Sequence, residues 1–266
     1  MSLLPPRHGT YAGPLLALEH RLAHVTAQRA RAVRATARTL VIDVGGTGIK
    51  MIVLDSAGRP INERARLLTP HPASPEAVLS VIASMLPDQP AFDRVSCGFP
   101  GVIMRGVVRT AVNLGPDLWR GVDFERRLAE LTQRPVRAIN DANLQGYGVI
   151  SGHGVELAIT LGTGVGAGLF TDGHLVPNLE LGHHPWKKGE TYEDRLADRV
   201  LKEIGKKDWS RRVFEMIEEL EPIFNYDTLY LGGGNAEHIR GELPKNVQLF
   251  TNVAGMMGGI KLWELG

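Results

Sequence analysis

Two glycine-threonine loops and an Asn-Asp pair are the residues of this 266-residue chain best suited to chemistry. The first loop lies in Val41-Ile42-Asp43-Val44-Gly45-Gly46-Thr47-Gly48-Ile49-Lys50. An apolar run ends in a carboxylate, turns through glycines and re-emerges as a second apolar run that carries Lys50. This pattern predicts a β-hairpin. Glycines at positive φ and without a Cβ would let the N–H groups of Gly45, Gly46 and Thr47 converge on one point, a concavity suited to phosphate oxygens. A phosphate there lies close to Asp43, and two negative groups at such range repel. Mg2+, held by Asp43 partly through water, would relieve that repulsion. Taken alone, the stretch reads equally well as an ordinary Gly-Gly hairpin with an aspartate at a strand end.

The device recurs. Leu157-Ala158-Ile159-Thr160-Leu161 is broken by Gly162-Thr163-Gly164-Val165-Gly166 and followed by a second apolar run, and Leu229-Tyr230-Leu231 leaves through Gly232-Gly233-Gly234. One glycine loop is common turn chemistry, but two Gly-Thr hairpins plus a third glycine-rich strand exit are more than turns require. Between the hairpins the run 136–139 predicts a strand that delivers Asn140 and Asp141 at its carboxyl end, where ligands bind in open α/β sheets. Phosphoryl transfer to a hydroxyl needs a base within hydrogen-bond reach, and a carboxylate suffices because the reaction is mainly positioning and charge neutralisation. Asp141 is the candidate base, with Asn140 offering a donor and an acceptor to neighbouring hydroxyls. The competing reading of Asp141 is a helix cap. Glu180 and His183, three apart and separated by Gly182, suit a vicinal diol.

The elements that must position these groups alternate. The spacing predicts a strand over 61–68, a helix over Pro75–Met85 with Ser74 as its cap, and strands over 95–99 and 107–111. A loop over 113–119, a helix over 123–131, helices over 194–207 and 209–224, a strand over 247–250 and a last helix over 253–263 complete the pattern. Pro222 should perturb the end of the helix that contains it, and Gly255, Gly258 and Gly259 suggest close packing or a poor helix start. Residues 1–38, Arg-rich and almost without acid, read as an appended or loosely docked helix, disorder or an artefact of start-codon choice, and they are too short for a winged-helix domain. A formal charge of +1 argues against a dedicated nucleic-acid binder, no apolar run suggests a membrane span, and the single Cys97 fits a reducing cytoplasm. Lys187, Lys188, Lys202, Lys206, Lys207, Arg211 and Arg212 are either a solvated basic face or a track for a polyanion, if the helices after Asp194 pack beside the Gly162 loop.

From about Thr39 to Trp263 these motifs together resemble the actin-like ATPase and sugar-kinase superfamily, and within it the ROK family, nearest its polyphosphate glucokinase branch. Gly98-Phe99-Pro100-Gly101, Ile139-Asn140-Asp141-Ala142-Asn143 and Glu180-Leu181-Gly182-His183 follow in that family's order. The resemblance implies an α/β fold of two actin-like, ribonuclease H-like domains with a cleft between them. Residues 39–140 would form the smaller domain, completed by the terminal helix 253–264, and 141–252 the larger. It implies that the Asp43 and Gly162 loops hold phosphate, that Gly232, Gly233 and Gly234 hold a nucleoside, and that Gly101, Asn113, Asn140, Glu180 and His183 hold the sugar. A turn-forming role for Asn113 and a plain Pro-Gly turn at Gly101 remain open. A further acidic sugar ligand falls on Glu193 or Asp194. The family's cysteine-rich zinc element is absent, so no zinc is expected. The implied function is transfer of a phosphoryl group from polyphosphate or ATP to the 6-hydroxyl of glucose by a cytoplasmic homodimer with no nucleic-acid or membrane partner. A kinase for mannose or N-acetylmannosamine, or a non-catalytic sugar-sensing regulator, is the alternative.

Overall fold

The hairpin predicted at Asp43 is present: β1 (Thr39–Val44) and β2 (Ile49–Leu54) pair antiparallel with Val44 opposite Ile49, leaving residues 45–48 for the turn. The computed structural model describes residues 36–176 and 179–264, so the helix predicted within residues 1–38 lies outside the described residues. β3 (Ala65–Leu67) continues the antiparallel pairing on β2. It is shorter than the expected 61–68 because the Asn62 side chain accepts from Val53 N–H at 2.8 Å, doing there what a strand carbonyl would do. α1 (Pro75–Met85) starts where expected, with Ser74 Oγ accepting from Ala77 N–H and Pro75 in the first turn.

β4 (Arg94–Phe99) lies parallel to β1, followed by a two-stranded ribbon of β5 (Ile103–Met104) and β6 (Val107–Val108). The short α2 (Pro116–Trp119) and the amphipathic α3 (Phe124–Thr132) precede β7 (Val136–Asn140), which pairs parallel with β4. The first sheet therefore runs β3-β2-β1-β4-β7. Burial of apolar surface holds it, centred on Phe99, Trp119 and Phe124, whose rings meet at 4.8–5.5 Å.

After α4 (Asp141–Val149) the order repeats. β8 (Val155–Leu161), β9 (Val165–Thr171) and β10 (His174–Val176) make an antiparallel meander. α5 (Tyr192–Leu196) and the long α6 (Asp198–Phe224) then lead to β11 (Thr228–Gly232), parallel to β8, and to β12 (Val247–Leu249). The second sheet, β10-β9-β8-β11-β12, has the strand order of the first. The helices expected over 194–207 and 209–224 are divided instead at Ala197, and Gly205, at φ 78°, kinks the long helix. The last helix is broken into α7 (Asn252–Met256) and α8 (Gly258–Lys261). They pack on the first sheet, where Ser96 Oγ donates to the Gly259 carbonyl at 2.6 Å and accepts from Trp263 Nε1 at 2.8 Å. A Cβ at Gly259 would stand 2.5 Å from Val41 Cγ2, so the glycine is there for close approach. Both sheets lie in one compact unit that begins at Arg38. No described helix is long and apolar enough to cross a membrane.

Candidate active site

Loops from both sheets line a cleft of about 540 Å³, and both glycine hairpins reach it. Gly45 N–H donates to the Gly48 carbonyl and Gly162 N–H to the Gly164 carbonyl, each at 3.0 Å. The first glycine of each loop thus spends its N–H closing its own turn. The expected convergence of three N–H groups is reduced to those of Gly46 and Thr47, faced by Thr163 and Gly164. Nor do Gly45, Gly46 and Gly48 adopt positive φ. Gly48 supplies space, since a Cβ there would stand 2.7 Å from Arg66 Nε, whereas one at Gly46 would meet Asn113 Cβ and Thr163 Cγ2 only at ordinary contact distances of 3.6 and 3.7 Å.

At the third glycine run Gly233 and Gly234 line the cleft, and Gly233 holds φ 84° with its α-carbon against the Leu161 backbone. Gly232 does not belong with them. A Cβ there would collide with the Phe250 ring, so this glycine serves strand packing and does not line the cleft. Asn235, which no pattern singled out, is buried, donates its N–H to the Leu161 carbonyl at 3.0 Å and lines the cleft.

The charged centre is formed by Asp43, Lys50 and Asp141. Asp43, the penultimate residue of β1, is 6% exposed and is ion-paired with Lys50 Nζ at 2.7 Å. β7 hands over to α4 at Asn140 and Asp141. Asn140, rather than Asp141, is the cap: its Oδ1 accepts from Ala142 N–H at 2.9 Å and Asn143 N–H at 3.1 Å. The acceptor expected to serve a sugar is therefore committed to the helix, and its Nδ2, 3.4 Å from the cleft-lining Gly101 carbonyl, is what remains. Asp141, in the first turn of α4, has its carboxyl pushed up from 3.8 to about 7, first by burial and then by the charge of Asp43. Glu180 adds to the rise, while Ala142 N–H and Lys50 oppose it. These oxygens suit a hard cation. Mg2+ characteristically takes one or two carboxylates and completes its shell with water and substrate phosphate. Gln145, one turn beyond Asp141, also lines the cleft and has a buried Oε1 with no hydrogen-bond partner among the described residues, an acceptor for such a water.

Glu180 and His183 meet in the cleft with Oε2 and Nε2 3.8 Å apart. Burial raises the Glu180 pKa, His183 opposes this and Glu193 adds to it. Of the two acids left open by sequence, Glu193 lines the cleft and accepts from Val165 N–H at 3.1 Å. Asp194 instead closes a capping box with Thr191 and pairs with Arg199 at 2.7 Å. His184 is exposed and turns to the Pro185 carbonyl. Where the cysteine-rich element would follow, Trp186 stacks on Tyr192 at 4.8 Å with rings 4° from parallel, and its Nε1 donates to Glu219. Among the described residues no three His, Cys, Asp or Glu side chains are grouped to hold a metal.

The basic stretch expected to form one track is dispersed. Of its members only Lys202 lines the cleft, paired with Asp198 at 2.5 Å. Lys187 is bound to Glu215 and Glu219, Arg211 to Asp208, and Arg212 to the Arg195 carbonyl. Helical periodicity spreads charges that are adjacent in sequence around the α6 axis, so the run could not face one groove. Arg64 and Arg66, by contrast, reach the cleft from the other sheet. No motif marked them, because their position depends on the register of β3.

The ROK family pattern matches residues 39–191. The polyphosphate glucokinase of Mycobacterium tuberculosis (strain ATCC 25618 / H37Rv) is 33% identical over 237 residues, covering 82% of this chain and 88% of that protein. Among solved structures, the inorganic polyphosphate/ATP-glucomannokinase from Arthrobacter sp. strain KM superposes with a TM-score of 0.77 at 31% identity, over 86% of this chain and all of that one. A ROK family glucokinase from Streptomyces griseus, in complex with glucose and AMPPNP, has a TM-score of 0.70 at 21% identity over the same shares and shows the same fold.

Proposed function

The chain belongs to the ROK family and is a sugar kinase with the two-domain actin-like fold, and we propose that it transfers a phosphoryl group from polyphosphate or ATP to the 6-hydroxyl of glucose. The observation that carries this reading is the placement of Asp141, with its raised pKa, beside Asp43, Lys50 and the two glycine-threonine loops in one cleft. Residues 39–140 with α7 and α8 would act as the smaller lobe and 141–252 as the larger, and closure of one on the other would exclude water from the donor.

The sugar lies across Glu180, His183 and Glu193, with Asn113 and the Asn140 Nδ2 donor at its edges. Carboxylates accept from sugar hydroxyls and the imidazole does either. Asp141 takes the proton of the attacking hydroxyl as that oxygen bonds to the terminal phosphorus and the bridging P–O bond of the donor breaks, so that the donor leaves one phosphoryl group shorter. A carboxyl near 7 is well matched to this task at neutral pH. Gly46, Thr47, Thr163 and Gly164 present N–H groups to the phosphates, and the Gly233-Gly234 exit accommodates a nucleoside. Mg2+, held by Asp43 through water with Gln145 on one of its waters, would neutralise charge on the transferring group. The loop after His183 is held by the Trp186–Tyr192 stack, and the reading assigns no role to zinc. The cytoplasm suits Cys97, a buried, unpaired thiol whose pKa burial drives well up.

A coupled assay of product formation across hexoses, with polyphosphate and ATP as separate donors, tests the reading. Glucose 6-phosphate is expected from both donors. Sugar binding without turnover by any donor would move the chain to the sensing regulators of its family.

A further inference from the structure

The register of the first sheet aligns charges that are scattered in sequence. Asp43 stands opposite Lys50, and Lys50 opposite Arg66, so the three share one face across β1, β2 and β3. All three line the cleft, as does Arg64, two residues before Arg66. At the ordinary strand spacing of about 4.8 Å the row extends roughly 10 Å from Asp43 to the edge of the sheet. The Arg66 guanidinium lies against Gly48, in space that any side chain there would fill. Lys202, Arg211 and Lys187 are all paired with carboxylates, whereas Arg64 and Arg66 are exposed and have no ion-pair partner among the described residues. Two unneutralised guanidiniums beside the phosphate loop, continuing a row that begins at the reacting end, constitute a site for an anion longer than a triphosphate.

We propose that Arg66 and Arg64 form the track that holds the non-reacting length of a linear polyphosphate donor as it passes from the Asp43–Lys50 pair outward over β3. This rests on the kinase reading above and specifies its donor. A nucleoside triphosphate must turn toward Gly233, Gly234 and Asn235 on the other sheet to seat its nucleoside. It therefore uses the row only at Lys50, while a polyphosphate chain continues along the row. The arginines are thus donor-selective.

Binding of fluorescently labelled long-chain polyphosphate to the full chain, by anisotropy over a series of salt concentrations, is the direct test, with kcat/KM for polyphosphate and ATP measured in parallel. Arg66→Ala and Arg64→Ala should each weaken polyphosphate binding about tenfold, and each should reduce the slope of log affinity against log salt by about one. The polyphosphate-to-ATP ratio of kcat/KM should fall about tenfold in either variant. Arg66→Lys, which keeps the charge, should recover at least half of the lost binding energy. A double Arg→Ala variant that melts like the native chain and binds polyphosphate within twofold of it would overturn the track. So would a proportionate loss of both donor activities, or a native chain that uses ATP and binds no polyphosphate. If no donor phosphorylates any hexose, the kinase reading fails, while the binding series still decides whether the row holds polyphosphate.

Discussion

Asn140 caps the helix that Asp141 begins: its Oδ1 takes the Ala142 and Asn143 N–H groups, so the first turn is closed without drawing on both oxygens of the aspartate. Asp141 keeps a single local bond, to Ala142 N–H at 2.8 Å. The division of labour gives the cap to Asn140 and not to Asp141. One residue pays the structural cost and its neighbour carries a perturbed carboxyl into the cleft.

Asp141→Asn should lower turnover by at least about a hundredfold while changing sugar affinity only a few-fold, since the proton acceptor matters mainly in the transition state. The same variant should be more stable than the native chain at pH 8 and no different near pH 3. The sign follows from the raised pKa. The native state binds the proton more tightly than the unfolded chain, so stability falls as pH climbs from about 3.8 to about 7, and an amide escapes that loss. A rise from 3.8 to about 7, at about 1.4 kcal/mol per pH unit, corresponds to on the order of 4 kcal/mol at pH 8. Thermal melts at the two pH values check this, and near-native turnover in the variant would end the general-base assignment.

The rate at limiting sugar and donor should rise with pH through about 7, because the base must be ionised. Glu180 contributes to holding that pKa up, so Glu180→Gln should move the acid limb to lower pH while raising the sugar KM. A limb that stays in place, measured across pH 5 to 9, would mean that another group sets it.

Much of this was legible in the chain itself. The hairpin register at Asp43, the strand that delivers Asn140 and Asp141, and α1 with its Ser74 cap follow from local apolar periodicity and capping chemistry, which nearby residues determine. What was not legible depends on contacts between distant segments. Gly232 looks like its neighbours in sequence and is distinguished by the Phe250 ring across the sheet. Arg66 acquires its place only when β3 pairs with β2, and the Gly45 N–H is spent in a bond to Gly48 that composition does not reveal. The basic run on α6 misled for the converse reason: adjacency in sequence is not adjacency on a helix.

Glu193 and Asp194 offer a clean contrast between adjacent acids. Glu193→Gln should raise the sugar KM about tenfold, because a buried-side acceptor for a hydroxyl is lost, with little change in melting temperature. Asp194→Ala should do the reverse, costing about 1 kcal/mol of stability through the capping box with Thr191 and leaving the sugar KM within about twofold. Sugar titrations and melts of the two variants decide it, and a KM effect in Asp194→Ala larger than in Glu193→Gln would reverse the assignment.

Trp186 ties together the two segments that carry the proposed sugar ligands Glu180, His183 and Glu193. It lies three residues after His183, stacks on Tyr192 beside Glu193, donates to Glu219 on α6, and is flanked by Lys187 and Arg195 at 5.3 and 5.1 Å from its ring. Stacking of this kind with a cation over the ring is worth about 1–2 kcal/mol, and the indole N–H adds a charge-assisted bond. A joint made this way needs no metal. Trp186→Ala should therefore raise the sugar KM several-fold with a smaller change in kcat, and Trp186→Phe, which keeps the stack and loses the bond to Glu219, should fall between. Chelator should leave the melting temperature of the native chain unchanged in the absence of Mg2+, and elemental analysis should find no stoichiometric zinc. One zinc per chain, or a Trp186→Ala variant with native sugar KM, would show that the loop is held by something other than this stack.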